Sequence, residues 1–230
     1  MTERPALEVF DSAQDAAAAA AAAIVQRLHG ALVSRGEAHL CVTGGTSPGP
    51  VYDLLKDVDL DWRHVALTLS DERCVPETSD WSNARLVRER LLTGKAAAAR
   101  FKPLRGEGGE PDHEAWTAEL AIAPLVPFDA VLLGMGEDGH IASLFPGNPM
   151  LEQGLDPAGP RLVLPVPARD PAPAQARISL TLPALMYAEL IVILVRGEAK
   201  RAILERDGDE PVHHLIRAAN RGDVRLLWSA

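Results

Sequence analysis

Two cysteines in 230 residues, Cys41 and Cys74, are too few for a disulfide framework. They fit a reducing compartment, so the chain is expected in the cytoplasm. Neither has a histidine beside it in sequence, and burial as a small hydrophobe is the simplest role for each. Long apolar runs are missing too. The longest, 16–25, falls short of the ~20 residues a bilayer span needs. Asp11 and Asp15 stand ahead of it where a secretory leader would be positive, so neither a signal peptide nor a membrane partner is expected. Positive charge is in deficit: 23 Lys and Arg against 32 Asp and Glu leave −9, a field that attracts neither nucleic acid nor an anionic membrane. Aromatic side chains are 4% of the chain, and the four tryptophans are scattered, which excludes a stacking platform for bases. Closed metal-ligand spacing is lacking as well. His213 and His214 are adjacent, so on a helix they point to different sides, and solvated or capping roles are expected for both.

What is present is an alternating pattern with no internal repeat. Ser12 to Asp15 resembles a capping box ahead of an alanine-rich helix whose apolar face is Ile24, Val25, Leu28 and Leu32. The expected order continues with a strand at 39–42, a glycine turn and a helix at 51–55. A strand at 65–69, a loop and a helix at 82–92 come next. A polar Gly-rich loop at 106–110 precedes a helix at 112–121. The second half reads as strands at 130–133, 162–166, 178–182 and 190–195, a helix at 198–205 and a last strand at 224–228. The run 190–195 is continuously apolar, as in a strand covered on both faces. Segment 157–173 carries six prolines and reads as a loop crossing one edge of the domain, since strand-like sequence resumes on both sides. Residues 1–230 are therefore expected to form a single α/β domain, a Rossmann-like layered arrangement with a central mostly parallel sheet and helices on both faces.

The most informative stretch follows the strand at 130–133. Gly134, Gly136 and Gly139 allow a sharp turn and a close backbone approach, and Asp138 and His140 flank the last of them. Ligands of open α/β sheets bind beyond the carboxyl ends of the strands, so this acid and histidine are a candidate catalytic base with its orienting partner. Thr43-Gly44-Gly45-Thr46-Ser47-Pro48 lies between a strand and a helix, where exposed N–H groups would hold a phosphate. A tight turn capped by Thr46 or Ser47 is the plainer alternative. Asp71-Glu72-Arg73 ends the next strand, and Ser82-Asn83 reads as a helix cap. Arg177 opens a strand and Lys200 the helix after a buried strand. Together with the glycine loop they form an expected anion site, arginine as a fork and lysine as a point charge.

These motifs, in this order, resemble the 6-phosphogluconolactonases and, more broadly, the glucosamine-6-phosphate isomerase/deaminase superfamily. The likeness runs from the Gly44-Gly45 loop through Asp71-Glu72-Arg73, Ser82-Asn83, 134–147 and 177–182 to Gly197–Lys200. Related deaminases continue Asp-Gly-His-Ile-Ala with an Asn-Glu pair that serves ring opening, where this chain has Leu144-Phe145. Departures are a Thr46-Ser47-Pro48 order after the glycines and no aromatic residue before Asp71.

The resemblance implies a hydrolase without metal or cofactor, acting on a small phosphorylated sugar lactone in the pentose phosphate pathway. It implies His140 as general base, Asp138 orienting it, Arg73 at the oxyanion or steering charge, and Asp71 on a sugar hydroxyl. Gly44, Gly45, Thr46, Arg177 and Lys200 would bind substrate and its phosphate. A monomer or weak homodimer is expected. The alternatives are an isomerase or deaminase of amino sugar phosphates, and a sugar-sensing module. The chain has no room for a DNA-binding helix-turn-helix beside the latter.

Overall fold

A computed structural model describes residues 4–105, 109–169, 174–219 and 222–230. Its strands are β1 Leu7–Phe10, β2 Ala38–Val42, β3 Val65–Leu69, β4 Asp71–Arg73, β5 Arg100–Lys102, β6 Ala130–Leu133, β7 Val163–Val166, β8 Arg177–Leu180, β9 Leu190–Arg196 and β10 Asp223–Ser229. Its helices are α1 Ala13–Arg35, α2 Gly49–Leu55, α3 Asn83–Arg90, α4 Pro111–Ile122, α5 Leu151–Leu155, α6 Leu182–Leu185, α7 Glu198–Glu205 and α8 Pro211–Ala218.

Seven strands form one parallel sheet in the order β1-β10-β9-β6-β2-β3-β5. The all-apolar runs are its interior: every residue of β3 and β6 is buried, and so is β9 up to Val195. From β2 the chain passes to β3 on one side, while β6 pairs on the other. Crossovers diverge there, and a crevice opens between the loops that leave these strands.

Ser12 caps α1 by accepting the Asp15 N–H at 3.1 Å, and Gly36 closes it at φ +78°. This 23-residue helix is long and apolar enough to cross a bilayer by length and composition alone, because it extends well beyond the pure apolar run that first marks it. Here its small side chains let it lie close on the sheet. Ala16, Ala17, Ala20 and Ala21 are buried with Ile24 and Leu28, and the helix packs on β2, β9 and β10.

The sheet is not the whole β-structure. Asp71–Arg73, which reads as a charged loop, is a strand, and β4, β8 and β7 form a second, antiparallel sheet. Three consecutive charges look solvated in sequence, yet Asp71 and Glu72 are 4% and 2% exposed because both carboxylates find donors inside. The strand expected at 178–182 is Arg177–Leu180; Thr181 then starts α6, with Pro183 in its first turn. Strands β1 and β5 and helix α8 add to the expected elements. Residues 106–108 of the Gly-rich loop and 170–173 of the Pro-rich segment lie outside the described residues.

Candidate active site

Loops from the carboxyl ends of four neighbouring strands, β9, β6, β2 and β3, surround a cavity of about 220 Å³. From β2 come Thr43 to Pro48, and from β6 come Gly134 to Gly136, His140 and Ala142. Lys200 arrives from α7 after β9, Asp71 and Arg73 from β4, and Arg177 from β8. Of the residues expected to act in catalysis or substrate binding, Asp138 alone stays out of the wall. It sits behind His140.

Asp138 Oδ1 lies 2.6 Å from His140 Nδ1 and also accepts the His140 backbone N–H at 3.2 Å. Partial burial pushes the Asp138 carboxyl up. The hydrogen bond and charge of His140, with backbone donors, outweigh this and hold it below the ordinary carboxylate range. An ionised carboxylate only accepts, so in the neutral imidazole the tautomer that fits this contact has its proton on Nδ1 and its lone pair on Nε2. The turn is tight: Gly136 N–H donates to the His140 carbonyl at 2.9 Å, and Gly139 takes φ +77°. A Cβ on Gly136 would stand 2.1 Å from His140 Nδ1, so glycine there is what lets the ring lie against the backbone.

Arg73 and Arg177 are direct cross-strand partners between β4 and β8. Like charges opposite one another oppose strand pairing. Burial pulls the Arg177 guanidinium below its usual value; Arg73 adds to this, while Asp71 opposes it. Asp71 accepts from the Ser143 hydroxyl at 2.5 Å, Ser70 at 3.2 Å and Arg177 at 3.4 Å. Its carboxylate is thus engaged beneath Arg177. Lys200 has no ion-pair partner among the described residues.

Gly44 and Gly45 approach for different reasons. A Cβ on Gly44 would meet Asn83 Oδ1 at 1.8 Å, while Gly45 needs its φ of +90°. Neither Thr46 nor Ser47 caps α2; Pro48 holds that position without a side-chain bond. Ser82 does cap α3, accepting from the Arg85 N–H.

Glu72, Asn83 and Ser143 are structural parts of the site to which the sequence reading assigns no role in it. Glu72 accepts the backbone N–H groups of Arg73, Asn83 and Ala84 at 2.7–2.8 Å and the Ser82 hydroxyl at 3.1 Å, and so anchors the start of α3. Burial nevertheless pushes its carboxyl up, above the ordinary range. Asn83 does more than follow a cap: its amide donates to the Asp71 carbonyl at 2.8 Å and covers Gly44. Its position just inside a helix start was the one available signal.

His213 is not solvated. It is 3% exposed, with Nδ1 2.8 Å from Glu210 and Nε2 3.0 Å from the Ile203 carbonyl, because α8 packs it under α7. Glu210 in turn lies against Gly139, where a Cβ would come within 2.5 Å of it. His214 pairs with Asp209 at 2.9 Å. Among the described residues no three His, Cys, Asp or Glu side chains converge as a metal site would require.

Residues 11–228 match the family described as glucosamine-6-phosphate isomerases/6-phosphogluconolactonase. A 6-phosphogluconolactonase of Caulobacter vibrioides is 49% identical over 225 residues, 97% of each chain. The crystal structure of a 6-phosphogluconolactonase from Shewanella baltica superposes with a TM-score of 0.90 at 34% identity, each chain covered completely. A monomeric glucosamine-6-phosphate deaminase shares the fold, with a TM-score of 0.72 at 18% identity over 97% of this chain and 96% of its own. Full-length agreement in sequence, and in a fold whose strand ends gather Gly44, Asp71, Arg73, His140 and Lys200, means that this chain belongs to the glucosamine-6-phosphate isomerase/6-phosphogluconolactonase family.

Proposed function

We propose that the protein hydrolyses 6-phospho-D-glucono-1,5-lactone to 6-phosphogluconate, the second step of the oxidative pentose phosphate pathway. One observation carries this reading: an imidazole oriented by an ionised carboxylate shares a cavity with three cations, Arg73, Arg177 and Lys200. That combination suits a neutral ester that carries a phosphate some distance from the reacting carbonyl.

In the reaction, His140 Nε2 takes a proton from water, whose oxygen attacks the lactone carbonyl carbon. Charge collects on the carbonyl oxygen, where Arg73 stabilises it; such a donor contributes ~3 kcal/mol. The tetrahedral intermediate collapses, the ring C–O bond breaks, and the imidazolium returns its proton to the departing ring oxygen. Asp138 favours the charged imidazole in between. The Gly44–Thr46 backbone, Arg177 and Lys200 hold the phosphate, with Asp71 fixing Arg177 in place. A lactone is an activated ester, so the chemistry requires no Lewis acid and no cofactor.

Amino-sugar deamination is the competing chemistry on this fold. Leu144 and Phe145 are 2% and 4% exposed and apolar, and neither supplies an acid for opening a sugar ring. The deciding assay follows lactone loss, corrected for spontaneous hydrolysis, beside ammonia release from glucosamine 6-phosphate. Lactone turnover without ammonia is expected. Ammonia release without lactone turnover would overturn the proposal.

A further inference from the structure

Phe145 stands between two groups that arrive from different sheets. Its ring centroid is 4.2 Å from that of His140, the planes inclined at 42°. The Arg177 guanidinium lies over the same ring at 5.2 Å. The phenyl group is 4% exposed, so this packing excludes water from between the rings. We propose that Phe145 is a positioning residue for the hydrolysis described above, setting the plane of the His140 imidazole and the lie of the Arg177 guanidinium at once. The inference rests on that reading of His140.

The hydrogen bond to Asp138 fixes one atom of the imidazole and leaves the ring free to swing about it. A second contact on the ring itself removes that freedom, and Phe145 supplies it. The aromatic face is negative and attracts cations. Arg177 is a cation throughout; His140 becomes one only after it has taken the proton from water. The ring therefore favours the charge-gaining step over the resting state, which is the difference that raises kcat. Its own position is set by a short turn. Ala142 takes φ +48°, unusual for a residue with a side chain. Leu144 N–H donates to the Ile141 carbonyl at 3.0 Å, and the Phe145 carbonyl accepts from Asn148 N–H at 3.1 Å.

The test compares Phe145→Leu, which keeps apolar volume without the ring, with Phe145→Tyr, which keeps the ring. Both would be assayed on 6-phosphogluconolactone and on unphosphorylated glucono-1,5-lactone, with folding checked by circular dichroism. Phe145→Leu should lower kcat about tenfold on both lactones through His140. It should also raise KM several-fold on the phosphorylated lactone alone, through Arg177. Phe145→Tyr should stay within about twofold of the parent protein on each count. Equal losses in the two variants, or no loss in Phe145→Leu, would overturn the proposal. Should the Leu variant fail to fold, Phe145→Met replaces it under the same criteria. His140→Ala assayed alongside separates the two failures. If it keeps kcat, the reading of His140 is wrong; if it loses kcat while Phe145→Leu does not, only the role of Phe145 is wrong.

Discussion

A guanidinium opposite another guanidinium is an odd choice for a short strand pair, and the proposed function accounts for it by giving Arg73 the oxyanion and Arg177 the phosphate. Charge-assisted bonds to an anion contribute roughly 1.5–3 kcal/mol each. Arg177→Ala should therefore cut kcat/KM for the phosphorylated lactone about 10- to 100-fold and leave glucono-1,5-lactone nearly unchanged. Equal losses on both substrates would place Arg177 in the chemistry or the fold. Gly136→Ala makes a second residue-scale case. The backbone there tolerates a side chain, yet the new methyl would contact His140 Nδ1 and Asp138. A fall in kcat of at least about tenfold with little change in Tm is expected; an unchanged kcat would show that the ring has room to spare. Charged residues at strand ends were legible in sequence. Ser143 and Asn83 were not, because a neutral polar side chain acquires its role only from partners such as Asp71, 72 and 12 residues away.

At the scale of elements, α2 follows a loop that lines the cavity and α3 begins at Asn83 in its wall, and Asp53 of α2 accepts from Arg90 of α3 in two hydrogen bonds of 2.7 and 2.9 Å. Gly49 leaves the space for it, since a Cβ there would stand 2.1 Å from the Arg90 guanidinium. The bond from Arg90 holds the Asp53 carboxyl below its usual value. A depressed folded value means stability that is present above the unfolded value, ~3.9 for Asp, and lost as pH falls through the folded one. Both partners are well exposed, so the pair contributes only about 0.2–1 kcal/mol. Urea unfolding should show Asp53→Asn less stable than the parent at pH 7, with the gap closing toward pH 2–3. A gap that widens in acid would contradict the assignment. Long alternating apolar segments announced β2, β3, β6, β9 and α1. Helix α8 hid behind its leading Pro211 and only eight residues, and β4 hid behind its charges.

For the whole molecule, the parallel sheet followed from strands alternating with helices. The second sheet did not, since β4 pairs with β8, a segment about a hundred residues further along the chain. Its consequence is functional: it brings Arg177 over the crevice at the strand ends. A protein of net charge −9 thereby gathers three cations around one cavity. In the proposed mechanism side chains supply the positive charge, so exhaustive treatment with EDTA should leave activity intact. Activity lost on chelation and restored by one divalent ion would refute this. The most direct measurement is kcat for 6-phosphogluconolactone in folded His140→Ala, with spontaneous hydrolysis subtracted. General-base catalysis contributes ~10²–10⁴, so kcat should fall by at least about 100-fold while KM stays within a few-fold; a folded variant that keeps near-parental kcat would contradict the account.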